Sequence, residues 1–552
     1  MHFPSLLSYR FILALPFLCA GLAHARFITP VEVAKEGAAK AAADKLKSAK
    51  DPAELESIFK AFESAAADGS MEAQFALGFF YQNGAGTERS IEKAKASYQK
   101  AADKGVQAAK NNLGLLQLAA GDDPKKAVSL VEDVASAGYA PAQISMGQLF
   151  TEGVPAAGIA KDPDQARVWF ERAADAGDEE ALTTLGVMIE QSSKDPEVQA
   201  RAVSLFQKAV DKGNVQAMIR LGTKLIAGQG VKAEPEKGRE LFEQAIKLGA
   251  DSAKLALATV YETGTGLAKD LKKAYALYLE AADAGNADAL NKVAFFHENG
   301  LGTDKDEKKA AEWYKKGADK NVGVCIYNLA VFHDEGKGGL EKSAAKAFDL
   351  HYKAAMNAFV PSQIALATRY RDGKGVARDI QASLAWFERA AQNNSQEAKT
   401  MYAAIIESGA AGFVNYQQAM ALYKEAAQAG FPGAMLGLGG MLEEGRGVQA
   451  DYRMAYQLYL TAQQAGLKDA ATERLDKLKK RLSPEQIKNA EAYVVQNGGN
   501  LPAAPASSSA EPKPASTPPA GSKPNPPPAK PKPTPVKPKP AAPAVKPKPA
   551  VR

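Results

Sequence analysis

This chain of 552 residues has few of the side chains that do chemistry: two cysteines, five histidines and three tryptophans. The cysteines are Cys19 and Cys325, and Cys19 lies in an apolar leader. With the leader removed Cys325 stands alone, which excludes an internal disulfide and the usual four-ligand zinc sets. There is no H-E-x-x-H and no G-x-S-x-G, so neither a metalloprotease helix nor a nucleophile elbow is present. No cofactor or metal is expected. Long apolar runs are missing too: the longest, Phe11 to Ala23, falls short of the roughly 20 residues a spanning helix takes.

What the chain has is repetition. Residues 250–285 read as a helix, a glycine turn and a second helix. Ala253, Leu257, Val260 and Tyr261 recur at helical spacing, Gly264 and Gly266 break the pattern, and Asp270 is placed to cap a stripe of Ala274, Leu277, Tyr278, Ala281 and Ala282. Gly285 closes the unit. Two short helices cannot bury both apolar faces alone, so they need copies of themselves alongside.

The copies follow from the closing residue of each unit: Gly69, Gly105, Gly138, Gly177, Gly213, Gly249, Gly285, Asn321, Ala358, Asn394, Gly430 and Gly466. These residues are spaced by 36 with small departures, the largest a shortened turn before Gly138 and a lengthened one before Gly177. About eleven units therefore run over 70–466, and a fixed period of this size means a solenoid. A tail of alternating Lys and Pro follows.

The units carry A-x-x-x-L-G-x-x-Y-x-x-G, as in Ala73, Leu77, Gly78, Tyr81 and Gly84, and W-[FY]-x-[KR]-A-A, as in Trp386, Phe387, Arg389, Ala390 and Ala391. A G-x-G recurs at the turn, as in Gly300 and Gly302. In this the chain resembles the Sel-one-like repeat (SLR) family, relatives of tetratricopeptide repeats. The resemblance implies an all-α, right-handed α-solenoid of about eleven two-helix repeats that serves as a scaffold or adaptor for other proteins. The cysteine pairs of the family's cysteine-rich exported members are absent here.

The ends read differently. Arg10, the apolar run and Ala23-His24-Ala25 make residues 1–25 a signal peptide, with an uncleaved membrane anchor as the alternative. Residues 26–69 are a helical lead and cap, helical from about Pro30 to Lys47 and again after Asp51-Pro52. Residues 467–499 hold capping helices, the last opened by Ser483-Pro484-Glu485-Gln486. Residues 500–552 hold 18 of the 31 prolines, eight lysines, Arg552 and one acid, Glu511, a composition that forms no packed core. The chain's net charge is +6; removing the tail's +8 and the leader's +1 leaves −3 on the body. The body is thus no nucleic-acid binder, whereas the tail suits anionic cell-envelope polymers.

Candidate binding residues lie beside the Leu-Gly pair and before the turn, on the first helices, which line the inner curve of such solenoids. Phe75, Phe79 and Leu115 make an exposed apolar patch. Glu190, Glu262, Glu298, Asp334, Glu407 and Glu443 make an acidic ladder, with Glu335, Asp372 and Glu444 beside it. Cys325 occupies the small-residue position of Ala253 and Ala289, and His297 and His333 that of Tyr81 and Tyr261, so all three are expected to pack. The expectation is an exported, non-enzymatic scaffold whose partner is a protein. The alternative is an envelope-associated enzyme, or enzyme accessory, acting on peptidoglycan or polysaccharide.

Overall fold

A computed structural model describes residues 26–49 and 51–496; the expected leader and tail lie outside them. Among the described residues there are 27 α-helices and no strand. One isolated bridge, Val154 with Ile159, sits in the lengthened turn. Successive helices pair into repeats, as in Asp251–Thr263 with Leu271–Asp283, giving a solenoid-like array. The shortened unit is such a pair as well, Gln107–Ala120 with Pro124–Ser136.

Local chemistry sets each boundary. Asp270 accepts a hydrogen bond from the Lys273 N–H, and Asp306, Asp379, Asn415 and Asp451 cap the corresponding helices of their own repeats. Second helices end with a left-handed residue, which is Gly285 in one unit but Asn321, Ala358 and Asn394 in three others, at φ near 60°. The G-x-G has a steric cause. A methyl on Gly302 would run into the Leu271 carbonyl, at the start of the preceding second helix, and one on Gly375 into the Ala344 carbonyl. The turn therefore packs on the repeat before it. The motif serves this packing.

The described residues form two compact units: one reaching residue 289 and taking in 300–304, the other made of 290–299 with 305 onward. The first buries Phe62, Phe80, Tyr98, Phe206 and Phe242; the second buries Tyr314, Trp386, Tyr456 and Tyr459. Each fully buried Phe contributes about 1.5–3 kcal/mol by leaving water. At the carboxyl end Ser483 and Gln486 exchange cap hydrogen bonds.

The lead departs from expectation. It is not one helix from Pro30 to Lys47. Residues 26–29 are irregular, one turn spans Pro30–Val33, and a separate helix spans Gly37–Leu46, with Gly37 left-handed at φ 64°. Thr29 and Glu32 cap the single turn.

Candidate polypeptide-binding face

In the first unit the face made by first helices holds a piece of the chain's own backbone. The Asn112 amide takes both sides of residue 28: its Oδ1 accepts from the Ile28 N–H at 2.9 Å, and its Nδ2 donates to the Ile28 carbonyl at 2.8 Å. Asn111 Nδ2 reaches the Arg26 carbonyl at 3.5 Å, and the Arg26 N–H donates to Gln148 Oε1 at 3.0 Å. The main chain of residues 26 and 28 is thus bound by side-chain amides of three first-helix residues, Asn111, Asn112 and Gln148. The side chains are held as well. Ile28 is fully buried, and Arg26 meets Asp178 at 3.2 Å, Glu180 at 3.0 Å and Glu32 at 3.0 Å. Burial works against the guanidinium charge, but Glu180, Glu32 and Asp178 outweigh it and hold its pKa above the ordinary value.

This corrects the apolar patch. Phe75, Phe79 and Leu115 are buried, not exposed. Phe75 and Phe79 share one core with Ile28, Ala34 and Ala39, and the turn Pro30–Val33 packs against the helix Met71–Asn83 that carries them. The lead covers Phe75 and Phe79, which their place beside the Leu-Gly pair marked as exposed.

The acidic ladder needs a correction of its own. Glu190, Glu262, Glu298, Asp334, Glu407 and Glu443 are half-buried and already engaged, whereas Glu335, Asp372 and Glu444 stand exposed. The phenol sixteen residues downstream donates to the carboxylate in four repeats. Tyr278 bonds Glu262 at 2.6 Å, Tyr314 bonds Glu298 at 2.8 Å, Tyr423 bonds Glu407 at 3.0 Å and Tyr459 bonds Glu443 at 2.8 Å. Burial first, and then the nearby carboxylate, push the Tyr278, Tyr314 and Tyr459 phenols well above their ordinary range. Where no phenol stands at that spacing, a buried cation of the next repeat substitutes. Phe206 follows Glu190, and Lys224 closes on it at 2.6 Å; Leu350 follows Asp334, and Arg369 pairs with that carboxylate. Arg446 adds a bond to Glu407 at 2.7 Å. The ladder clamps helices within repeats and one repeat to the next.

Sequence reasoning missed Asn111, Asn112 and Gln148. The readable signal was an Asn-Asn pair directly before Leu113-Gly114, where other units have apolar Phe75 and Ala76. Cys325 is a buried thiol, His297 is buried and His333 half-buried, as expected of packing positions. Among the described residues no three His, Cys, Asp or Glu side chains are grouped to hold a metal, and no helix is long and apolar enough to cross a membrane.

A family model, the Sel1 repeat, matches residues 72–106, 140–178, 180–214, 215–249, 251–286, 287–322, 323–359, 360–395, 396–431 and 432–466. Among solved structures, a protective antigen of uropathogenic Escherichia coli displaying an SLR fold is 25% identical; 82% of this chain and 99% of that one are covered, with a TM-score of 0.45. A Sel1 repeat protein from Oxalobacter formigenes is 27% identical over 56% of this chain and 89% of its own, with a TM-score of 0.43. A search of curated proteins finds no match. The ten matched segments fill more than half of the sequence and coincide with the helix pairs described above, apart from the shortened pair. The chain belongs to the Sel1 repeat family.

Proposed function

We propose that this protein is an exported scaffold that binds a protein partner through the face of its first helices. The observation that carries the reading is Asn112 holding residue 28 by both main-chain groups, with Asn111 and Gln148 on residue 26. A face that orders a stretch of main chain in cis has the kind of groups that order one in trans. Family membership supports the same class, since Sel1 repeats typically serve protein–protein interaction.

Export rests on Arg10, the apolar run and Ala23-His24-Ala25. Cleavage after Ala25 would make Arg26 the first residue, and its nitrogen is the one that donates to Gln148. The Lys/Pro tail then tethers or spaces the body against anionic envelope polymers. Moderate salt should release a tethered protein, because screening cuts such attraction to about 8 Å at physiological ionic strength. Equal retention of the full chain and of a chain ending at Asn500 would count against a tether.

The face is tested by cross-linking the full chain in envelope extract and mapping the partner's links by mass. A link at Lys292, which stands at the Asn112 position of its first helix, supports the reading. Links confined to second-helix Lys273 and Lys308 would place the contact on the other side.

A further inference from the structure

Arg26 is held at its backbone nitrogen as well as at its guanidinium, and by different groups. Gln148 Oε1 accepts from the nitrogen at 3.0 Å, while Asn111 Nδ2 lies on the carbonyl of the same residue. The oxygen of that amide, Asn111 Oδ1, is buried and has no donor. Folded proteins leave few buried acceptors unmet. The pocket is built once: at the place of Gln148 other units carry residues such as Phe79, Val187 and Thr259, and none carries an amide.

Charge is out of balance around the same residue. Asp178, Glu180 and Glu32 lie 3.0–3.2 Å from the one guanidinium, and among the described residues they pair with no other cation. The start of the helix Glu179–Ser192, which Asp178 caps, offsets part of the excess. Burial first, with Asp178 and Glu32 adding to it, holds the Glu180 carboxyl above its ordinary pKa against the pull of Arg26. The surroundings suit one more positive charge, and more hydrogens than a peptide nitrogen carries.

A free amino terminus supplies both. Hydrolysis of the Ala25–Arg26 bond leaves the carboxylate on Ala25 and the amine on Arg26. That amine, with an ordinary pKa of about 8, is an ammonium with three hydrogens at neutral pH. We propose that Asn111, Gln148 and the acids around Arg26 form a receptor for the amino terminus released by leader cleavage, so that residues 26–34 lock onto the first-helix face only after processing. The ligand is a primary ammonium carried by an arginine. One hydrogen stays on Gln148 Oε1, and two are left for acceptors such as the unmet Asn111 oxygen. The inference rests on the export reading and not on the partner.

The test uses the chain from Arg26 onward, made as a fusion whose carrier is cut off directly before Arg26. Hydrogen exchange at residues 27–34 is measured by mass before and after the cut. It is expected to slow about tenfold or more on cutting, the scale of one charge-assisted hydrogen bond. Gln148→Leu should erase the difference between cut and uncut chains. Asn112→Ala, which frees residue 28, should speed exchange in both forms alike and leave the difference in place. Equal exchange in the cut and uncut parent overturns the receptor. A difference that survives Gln148→Leu, with helicity intact by circular dichroism, overturns its assignment to this pocket. Should Gln148→Leu unfold, Gln148→Glu is read instead: it keeps the acceptor and adds a charge, so the difference should widen, and a narrower one overturns the proposal. The intact mass of the protein exported with its own leader tests the reading beneath. A first residue other than Arg26 overturns the link to processing; with Arg26 first and equal exchange, export stands and the receptor alone falls.

Discussion

The Cys325 sulfur fills the space that a methyl on Gly317 would need; the two would overlap. In neighbouring repeats the same two places hold Ala245 with Ala253, Ala281 with Ala289, and Ala390 with Ala398. One side chain grew where the other shrank, which conserves volume in a packed interior. Gly317→Ala should therefore destabilise by about 1–3 kcal/mol from overpacking. Cys325→Ala alone should cost about 1 kcal/mol. The double variant should return close to the parent, and a double-mutant cycle in denaturant checks this. Additive losses would mean that the two positions do not share the space. Lost partner binding in Cys325→Ala with folding intact would give the thiol a functional role.

Reversing Glu262, Glu298 and Asp334 should now be costly, contrary to what exposure on a solenoid rim would imply. Each reversal strands a buried phenol or cation, a loss of about 1–3 kcal/mol. Melting of Glu298→Lys beside Lys273→Glu separates the two cases, since Lys273 is exposed and its pairing with Asp270 contributes little. Equal melting points would show the clamps to be dispensable.

His351 gives the second unit an acid sensitivity. Burial, and then Arg369 and Lys374, push its pKa down to about 3, with Asp334 opposing; Tyr327 lies edge-on to the ring and Ser362 Oγ is 3.4 Å from Nδ1. The depressed pKa means that the unfolded chain binds the proton first. The neutral ring's contribution is full above about pH 6.5 and is lost as pH falls toward 3, at about 1.4 kcal/mol per pH unit. His351→Gln should flatten the fall in stability between pH 6.5 and 4 relative to the parent. Identical slopes would mean that the imidazole is protonated in the fold.

Ala358 holds a left-handed conformation, φ 60°, where most units have glycine. Ala358→Gly should raise stability by about 0.5–1 kcal/mol, the relief of the Cβ clash less glycine's extra unfolded-state entropy. A lower melting point would show that the methyl packs usefully.

Period, caps and apolar stripes determined the repeat architecture from sequence alone, because a helix pair of this kind is specified by local spacing and by closing residues such as Gly285 and Asp270. The Glu–Tyr clamps were nearly legible: a constant separation of sixteen residues places acid and phenol on paired helices, yet only the fold shows that they touch. Exposure was not legible. Phe75 and Phe79 look bare when each repeat is read by itself, and they are covered by residues more than forty positions upstream. Asn112 is marked in the sequence only by standing in an Asn-Asn pair where another unit has Phe75 and Ala76, and its contact with Ile28 is visible only in the fold. A repeat's sequence encodes contacts with its neighbours; which long-range segment settles on the finished face is decided by the surface the assembled helices present together.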